Sequence, residues 1–161
     1  MKRQLTRLDE ARGLIDPIIK AIREEEDQRC AYVHLYGVGL LASLIALKRG
    51  YSREIAELAE ITGMLHDLLT YVDPSKDTEE HAHACADYAR EHVLNSLQQF
   101  SGEELDLIYS GIYHHSEKHV KGAWFDEIIK DADAAHHCLR NPMEDYFYQN
   151  PRIQQVLSEI L

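Results

Sequence analysis

Ile55-Ala-Glu-Leu-Ala-Glu-Ile-Thr-Gly-Met-Leu-His66-Asp67-Leu-Leu is the most apolar helical stretch of the chain. Ile55, Ala59, Thr62 and His66 recur at helical spacing on one stripe, and Leu58, Ile61 and Leu65 fill other faces, so this helix belongs at the centre of a fold. It ends on a histidine beside an aspartate, one neutral nitrogen donor and one anionic oxygen donor. An unpaired carboxylate in an apolar interior is costly. A divalent metal ion is the compensation such a pair suggests.

Working outward, the sequence reads as helix after helix, with no alternating strand pattern and no repeat. A polar helix is expected over residues 2 to 12, and Asp16-Pro17 reads as the start of another that ends near Asp27. The next spans Arg29 to Arg49 and stops at Gly50; His34 shares its core stripe with Val38, Leu41 and Ile45, as a structural core histidine also would. Ser52 is expected to cap the helix ending in His66-Asp67, with a loop from Thr70 to Lys76. Thr78 then opens a helix to Leu97 that carries His81 in its first turn. Ser101 with Glu104 forms a capping box, and Leu105, Ile108, Ile112 and His115 make one stripe. A loop from Ser116 to Gly122 precedes a helix over Ala123 to Arg140, broken by Asn141-Pro142, with Ile129, Asp133 and His137 aligned and Asp131 turned away. An amphipathic segment with Tyr146, Phe147, Val156 and Leu157, interrupted at Asn150-Pro151, closes the chain.

At 161 residues, 45% hydrophobic and 28% charged, the chain has the bulk of one globular domain. A formal net charge of −11 argues against nonspecific nucleic-acid binding and docking on anionic membranes. Cys30, Cys85 and Cys138 form no C-x-x-C pair and are read as reduced thiols in a cytoplasmic protein. The N-terminus is not that of a signal peptide, and no stretch reads as a membrane span. Ten histidines are the unusual count, and imidazole is the commonest side-chain ligand of catalytic metals.

Ionisable residues on apolar stripes or at helix ends thus come from five helices: His34, His66-Asp67, His81, His115 and Asp133. Nitrogen and oxygen donors without thiolates suit Mn, Fe, Co, Ni, Zn or Mg. In order, His34-Leu-Tyr-Gly-Val38, Gly63-Met-Leu-His-Asp-Leu68, Glu80-His-Ala-His-Ala-Cys-Ala-Asp-Tyr-Ala-Arg-Glu91, Gly111-Ile-Tyr-His-His-Ser116 and Ile129-Lys-Asp-Ala-Asp-Ala134 resemble the HD superfamily of metal-dependent phosphohydrolases, over about residues 30 to 140. The resemblance implies an all-α, single-domain helical bundle with a metal site in its core. It implies His34, His66, Asp67 and Asp133 as ligands of a first divalent ion, His81 and His115 as ligands of a second, and Asp67 as the bridge if two are bound. After Asp67 the chain departs from the family, with Leu-Leu-Thr-Tyr where many members have lysine or glycine. The Gly-Tyr-Pro motif of the cyclic-dinucleotide phosphodiesterase branch is absent.

The expected function is hydrolysis of a nucleotide or another small phosphorylated metabolite by metal-activated water, with Asp67 orienting the nucleophile. His114 is a candidate proton donor. Lys118, His119, Lys121 and Arg90 are candidates for phosphate contact, although basic residues in a loop or at a helix end are more often simply solvated. His136 and His137 are either partners of metal ligands or caps of a helix end. Two alternatives stand beside this reading: a di-iron oxygenase cleaving a C–C or C–P bond with the same ligands, and a noncatalytic binding module. The expected partner is a small phosphorylated substrate, not nucleic acid or membrane, with a homodimer left open.

Overall fold

The computed structural model describes residues 5–141 and 143–161, without the side chain of Phe147. The expected helix start at residues 2–4, the break at Pro142 and the packing of Phe147 lie outside the described residues. Among the described residues all regular structure is helical.

Helix α1 (Arg7–Lys20) opens on a capping box: the Thr6 hydroxyl accepts from the Asp9 N–H, and the Asp9 carboxylate accepts from the Thr6 N–H. It runs straight through Pro17, which corrects the expected boundary at Asp16-Pro17. A proline inside a helix removes one hydrogen bond. Here Ile15 and Ile19 beside it are fully buried, and the Asp16 carboxylate accepts from the Tyr36 hydroxyl, so tertiary anchoring outweighs that loss.

Helices α2 (Glu25–Ala31) and α3 (Gly37–Lys48) are joined by a π turn over Tyr32–Tyr36 into one 24-residue helix, Glu25–Lys48. Gly50, at φ 81°, ends it as expected. By length and composition alone this helix is apolar enough to cross a membrane, which corrects the reading that no stretch is. Its inner side is core, with His34, Leu35, Val38, Ala42 and Ile45 all buried.

Helix α4 (Arg53–Leu65) starts at Ser52, whose hydroxyl accepts from the Ile55 N–H, and His66 is its C-cap. It packs against α3 through glycines. A Cβ added to Gly63 would stand 2.6 Å from Gly39 Cα, and one added to Gly39 would stand 2.7 Å from the Glu60 carbonyl oxygen. The two backbones therefore touch, and this close approach sets the distance between the histidines the two helices carry.

Helix α5 (Leu68–Val72) and a 3₁₀ turn at Pro74–Lys76 replace the expected loop. Helix α6 (His81–His92) begins after Glu80, not at Thr78, and gives way to a 3₁₀ turn at Leu94–Ser96. Thr78 contributes its carbonyl to His81 instead of a side-chain cap. Helix α7 (Gly102–His114) has the expected Ser101–Glu104 capping box. Helix α8 (Trp124–Arg140) matches its expected span, and α9 (Asp145–Tyr148) and α10 (Pro151–Ile160) follow, the last capped by Asn150. Helix α4 lies at the centre, in contact with α1, α3, α7 and α8.

Candidate metal centre

Three elements bring the first donor set together. The π turn supplies His34, the end of α4 supplies His66 and the adjacent Asp67, and the middle of α8 supplies Asp133. His34 Nε2 lies 3.2 Å from His66 Nε2 and 3.5 Å from both Asp67 Oδ2 and Asp133 Oδ1. His66 Nε2 lies 3.2 Å from Asp67 Oδ2 and 3.5 Å from Asp133 Oδ1. Ligands bound to one ion at about 2.0–2.2 Å stand about 3.0–3.5 Å from their neighbours.

Asp67 turns its other oxygen to a second set. Its Oδ1 lies 3.3 Å from His81 Nε2 and 3.1 Å from His115 Nε2, and the two nitrogens are 3.2 Å apart. His81 comes from the first turn of α6 and His115 from the C-cap of α7.

The hydrogen bonds behind these imidazoles decide what faces the centre. The Nδ1 atoms of His66, His115 and His81 each lie 2.7 Å from the carbonyl oxygen three residues back, of Gly63, Ile112 and Thr78. A carbonyl only accepts, so in the neutral ring each Nδ1 carries the proton and each Nε2 presents a lone pair inward. For His66 the acceptor is one of the carbonyls at a helix C-terminus, and the Ile112 carbonyl also takes the His115 backbone N–H. Lone pairs thus oppose carboxylate oxygens, an arrangement that calls for positive charge between them. Asp67 Oδ1 and Asp133 Oδ1 are buried and accept no hydrogen bond among the described residues. The donors present fit a divalent ion, with His34, His66 and Asp133 in one possible group and His66, Asp67 and His115 in another.

The carboxylates favour any positive charge here, a proton on His66 Nε2 included. Burial pushes His66 down, but the Asp67 and Asp133 carboxylates outweigh it and hold the imidazole up at about 10. Burial raises Asp67, yet His66 and His115 hold it well below the usual carboxylate range; Asp133 is held low against its burial by Lys118, His137 and His66. His34 is pushed down chiefly by burial. Its Nδ1 lies 3.1 Å from Nδ1 of His136, which burial and the neighbouring His34 and His137 lower to about 4. His136 is therefore neutral near pH 7 and free to accept from His34.

Above the donors opens a cavity of about 420 Å³, lined by His34, Asp67, His81, His115, Asp133, Asp27, Thr70, Tyr71, Pro74, Asp77, Lys118 and His137. His66 lies beneath it, fully buried. All six expected metal ligands converge here. Lys118 also reaches it, with Nζ 2.6 Å from Asp133 Oδ2. The other expected site residues lie elsewhere. His114 Nδ1 is 3.2 Å from Asp126 Oδ2 and 3.1 Å from the Ser110 carbonyl, away from the cavity wall. Arg90 pairs with Asp106 at 3.0 Å and lies over the Tyr109 ring. His119 and Lys121 are exposed, and Lys121 lines a neighbouring cleft with Arg49 and Arg152.

Of the two roles expected for His136 and His137, the structure places both beside metal-ligand candidates, and it adds residues the sequence left unassigned. His136 backs His34, and His137 Nε2 stands 3.3 Å from Asp133 Oδ1. Thr70 and Tyr71 line the cavity at three and four residues after Asp67, a helical spacing that marks them as neighbours of that carboxylate. The Tyr71 hydroxyl is raised to about 12, first by burial and then by the Asp67 carboxylate. Arg152 is the least legible: its guanidinium bonds Asp131, Glu127 and the Lys118 carbonyl, and so fixes the Lys118 loop from the far end of the chain. Asp131 takes Arg49 and Arg152, consistent with its turn away from the centre.

A family model described as HD domain matches residues 31–139. No curated protein and no solved structure matches the chain.

Proposed function

The chain belongs to the HD domain family, and from that premise we propose that it is a metal-dependent phosphohydrolase acting on a small phosphorylated metabolite or nucleotide. The observation that carries the proposal is the single carboxylate of Asp67 facing two sets of inward lone pairs at the floor of an open cavity. One or two divalent ions, Mn, Fe, Co, Ni, Zn or Mg by the donor chemistry, would be held by His34, His66, Asp67 and Asp133 and by His81, His115 and Asp67. When bound, such ions acidify water toward a pKa of about 7 and neutralise charge on phosphoryl oxygens.

The chain's own residues orient and hold. Lys118 bonds Asp133 Oδ2 and so keeps Oδ1 turned to the donors. The Thr70 hydroxyl donates to the Asp67 carbonyl at 2.8 Å and braces the turn that carries the shared carboxylate. The carbonyls behind His66, His81 and His115 fix each ring. Lys118 lines the cavity and is the residue placed to meet an incoming phosphate. Three free cysteines accord with a cytoplasmic setting.

The deciding experiment is metal analysis of protein purified without chelators, followed by a phosphatase screen with Mn, Co, Ni, Zn and Mg. The expected result is at least one divalent ion per chain and phosphate release that Asp67→Ala abolishes together with the metal. Two irons per chain with oxygen consumption and no phosphate release would replace the hydrolase with a di-iron oxygenase. Full metal retention in Asp67→Ala would overturn the site itself.

A further inference from the structure

Beside the metal cavity lies a second depression of about 660 Å³. Asp27, Tyr71 and Pro74 line both, so the two adjoin. One side of the depression is the end of α1, with Ile18, Ala21 and Ile22; the other is Val72 and Tyr88. Its chemistry contrasts with that of the donor cavity, where histidines and carboxylates dominate. The one cation on its wall, Arg23, sits beside the carboxylates of Glu24 and Asp27, which also line it. An anionic group there meets no net positive charge, whereas an aromatic or aliphatic group would remove apolar surface from water. The α1 side precedes residue 31, where the family match begins. The groove is therefore made jointly by a flank outside the matched residues and by Tyr71, Val72, Pro74 and Tyr88 within them.

We propose that this groove binds the alcohol half of the substrate, and that the substrate is a phosphate monoester of an uncharged, apolar alcohol, not a polyphosphate or a sugar phosphate. The inference rests on the phosphohydrolase reading for its reaction, and on the groove alone for its binding. The phosphoryl group would lie at the donor cavity, and the ester oxygen would sit at the shared wall of Tyr71 and Pro74. The alcohol would extend along Val72 and Ile22. The acidic rim of Asp27 and Asp77 disfavours additional phosphates by like-charge repulsion.

The test has two arms. In the first, the metal-loaded full chain is assayed with ethyl phosphate and 4-phenylbutyl phosphate, alkyl esters of similar leaving-group reactivity, and with glycerol phosphate and ATP. The expected result is a kcat/KM for the phenylbutyl ester roughly tenfold or more above that for the ethyl ester, with glycerol phosphate and ATP poorest. Val72→Asp, at a position 39% exposed and so tolerant of a charge, should collapse that ratio through KM. Tyr88→Ala should lower it in the same direction. In the second arm, 4-phenylbutanol is titrated into metal-free protein, and the methyl resonances of Ile18 and Ile22 are followed by NMR. Saturable shifts that Val72→Asp removes are expected. Saturable binding without phosphate release would overturn the hydrolase reading and keep the groove. Phosphate release with equal kcat/KM across the esters and no methyl shifts would overturn the groove and keep the hydrolase.

Discussion

Asp67 is the residue on which both donor sets depend, but His34 shows best how a ligand is prepared. It enters from a π turn, has no carbonyl behind it as the other three histidines do, and relies on His136. Removing a partner behind a metal ligand commonly costs 10–100-fold in affinity. His136→Ala should therefore weaken metal binding by about that factor and leave the helix content unchanged, as measured by competitive metal titration beside circular dichroism. An affinity equal to that of the unsubstituted chain would show that His34 is oriented by packing alone. At this scale the sequence was informative where identity and helical phase suffice. His34, His66, His81, His115 and Asp133 all sit on an inward stripe or at a helix end, and all arrive at the centre. Arg90 and His114 carried no such signal, and their neighbours Asp106 and Asp126 are close only in three dimensions.

Among elements, the α3–α4 crossing does most to define the centre. Gly39 and Gly63 let two backbones meet, and His34 and His66 are carried on the same pair of helices. A methyl group at Gly63 has backbone on its far side, which cannot rotate out of the way. Gly63→Ala should destabilise the fold by about 1–3 kcal/mol and reduce metal affinity together with stability, read from thermal melts with and without metal. A melt unchanged in both conditions would mean that the helices separate without cost. Helix starts with a local capping signal were legible at Ser52 and at Ser101 with Glu104, whereas Asn150, expected to interrupt a helix, caps one. Asp16-Pro17 misled because a proline boundary is a local preference, and here the burial of Ile15 and Ile19 prevails. Thr78 misled because its carbonyl, not its hydroxyl, is the group the next helix uses. The π turn left no trace in the hydrophobic pattern, since one added residue is within the scatter of any stripe.

Over the whole molecule, the parts that flank the family-matched region are tied to it by charge. Arg49 and Arg152 converge on Asp131 at 2.6 and 2.5 Å, Arg152 also holds Glu127 at 2.8 Å, and Arg49 holds Glu159 at 3.0 Å. Fully buried Lys130 donates to the Val120 carbonyl and to Glu127. Burial raises the Glu127 carboxyl, but the Gly122 N–H, Arg152 and Lys130 outweigh it and hold it at about 2. A folded-state value below the unfolded one contributes stability that is present above the unfolded pKa, near 4.5, and lost as pH falls toward 2. Metal-free protein should therefore lose stability between those values, and Glu127→Gln should flatten that part of the curve, as followed by denaturant unfolding at stepped pH. An unaltered acid limb in the variant would remove Glu127 from the network's contribution.

The π turn at Tyr32–Tyr36 has one more consequence. It inserts a residue between the α1–α2 flank, which walls the apolar groove, and α3, which helps set the donors. Each residue of an α-helix advances about 100°. Deleting one residue from the turn would re-index the flank against the metal-bearing core while leaving the helix continuous. His34 lies inside the turn, so the same change that moves the groove wall would also move a donor of the metal centre.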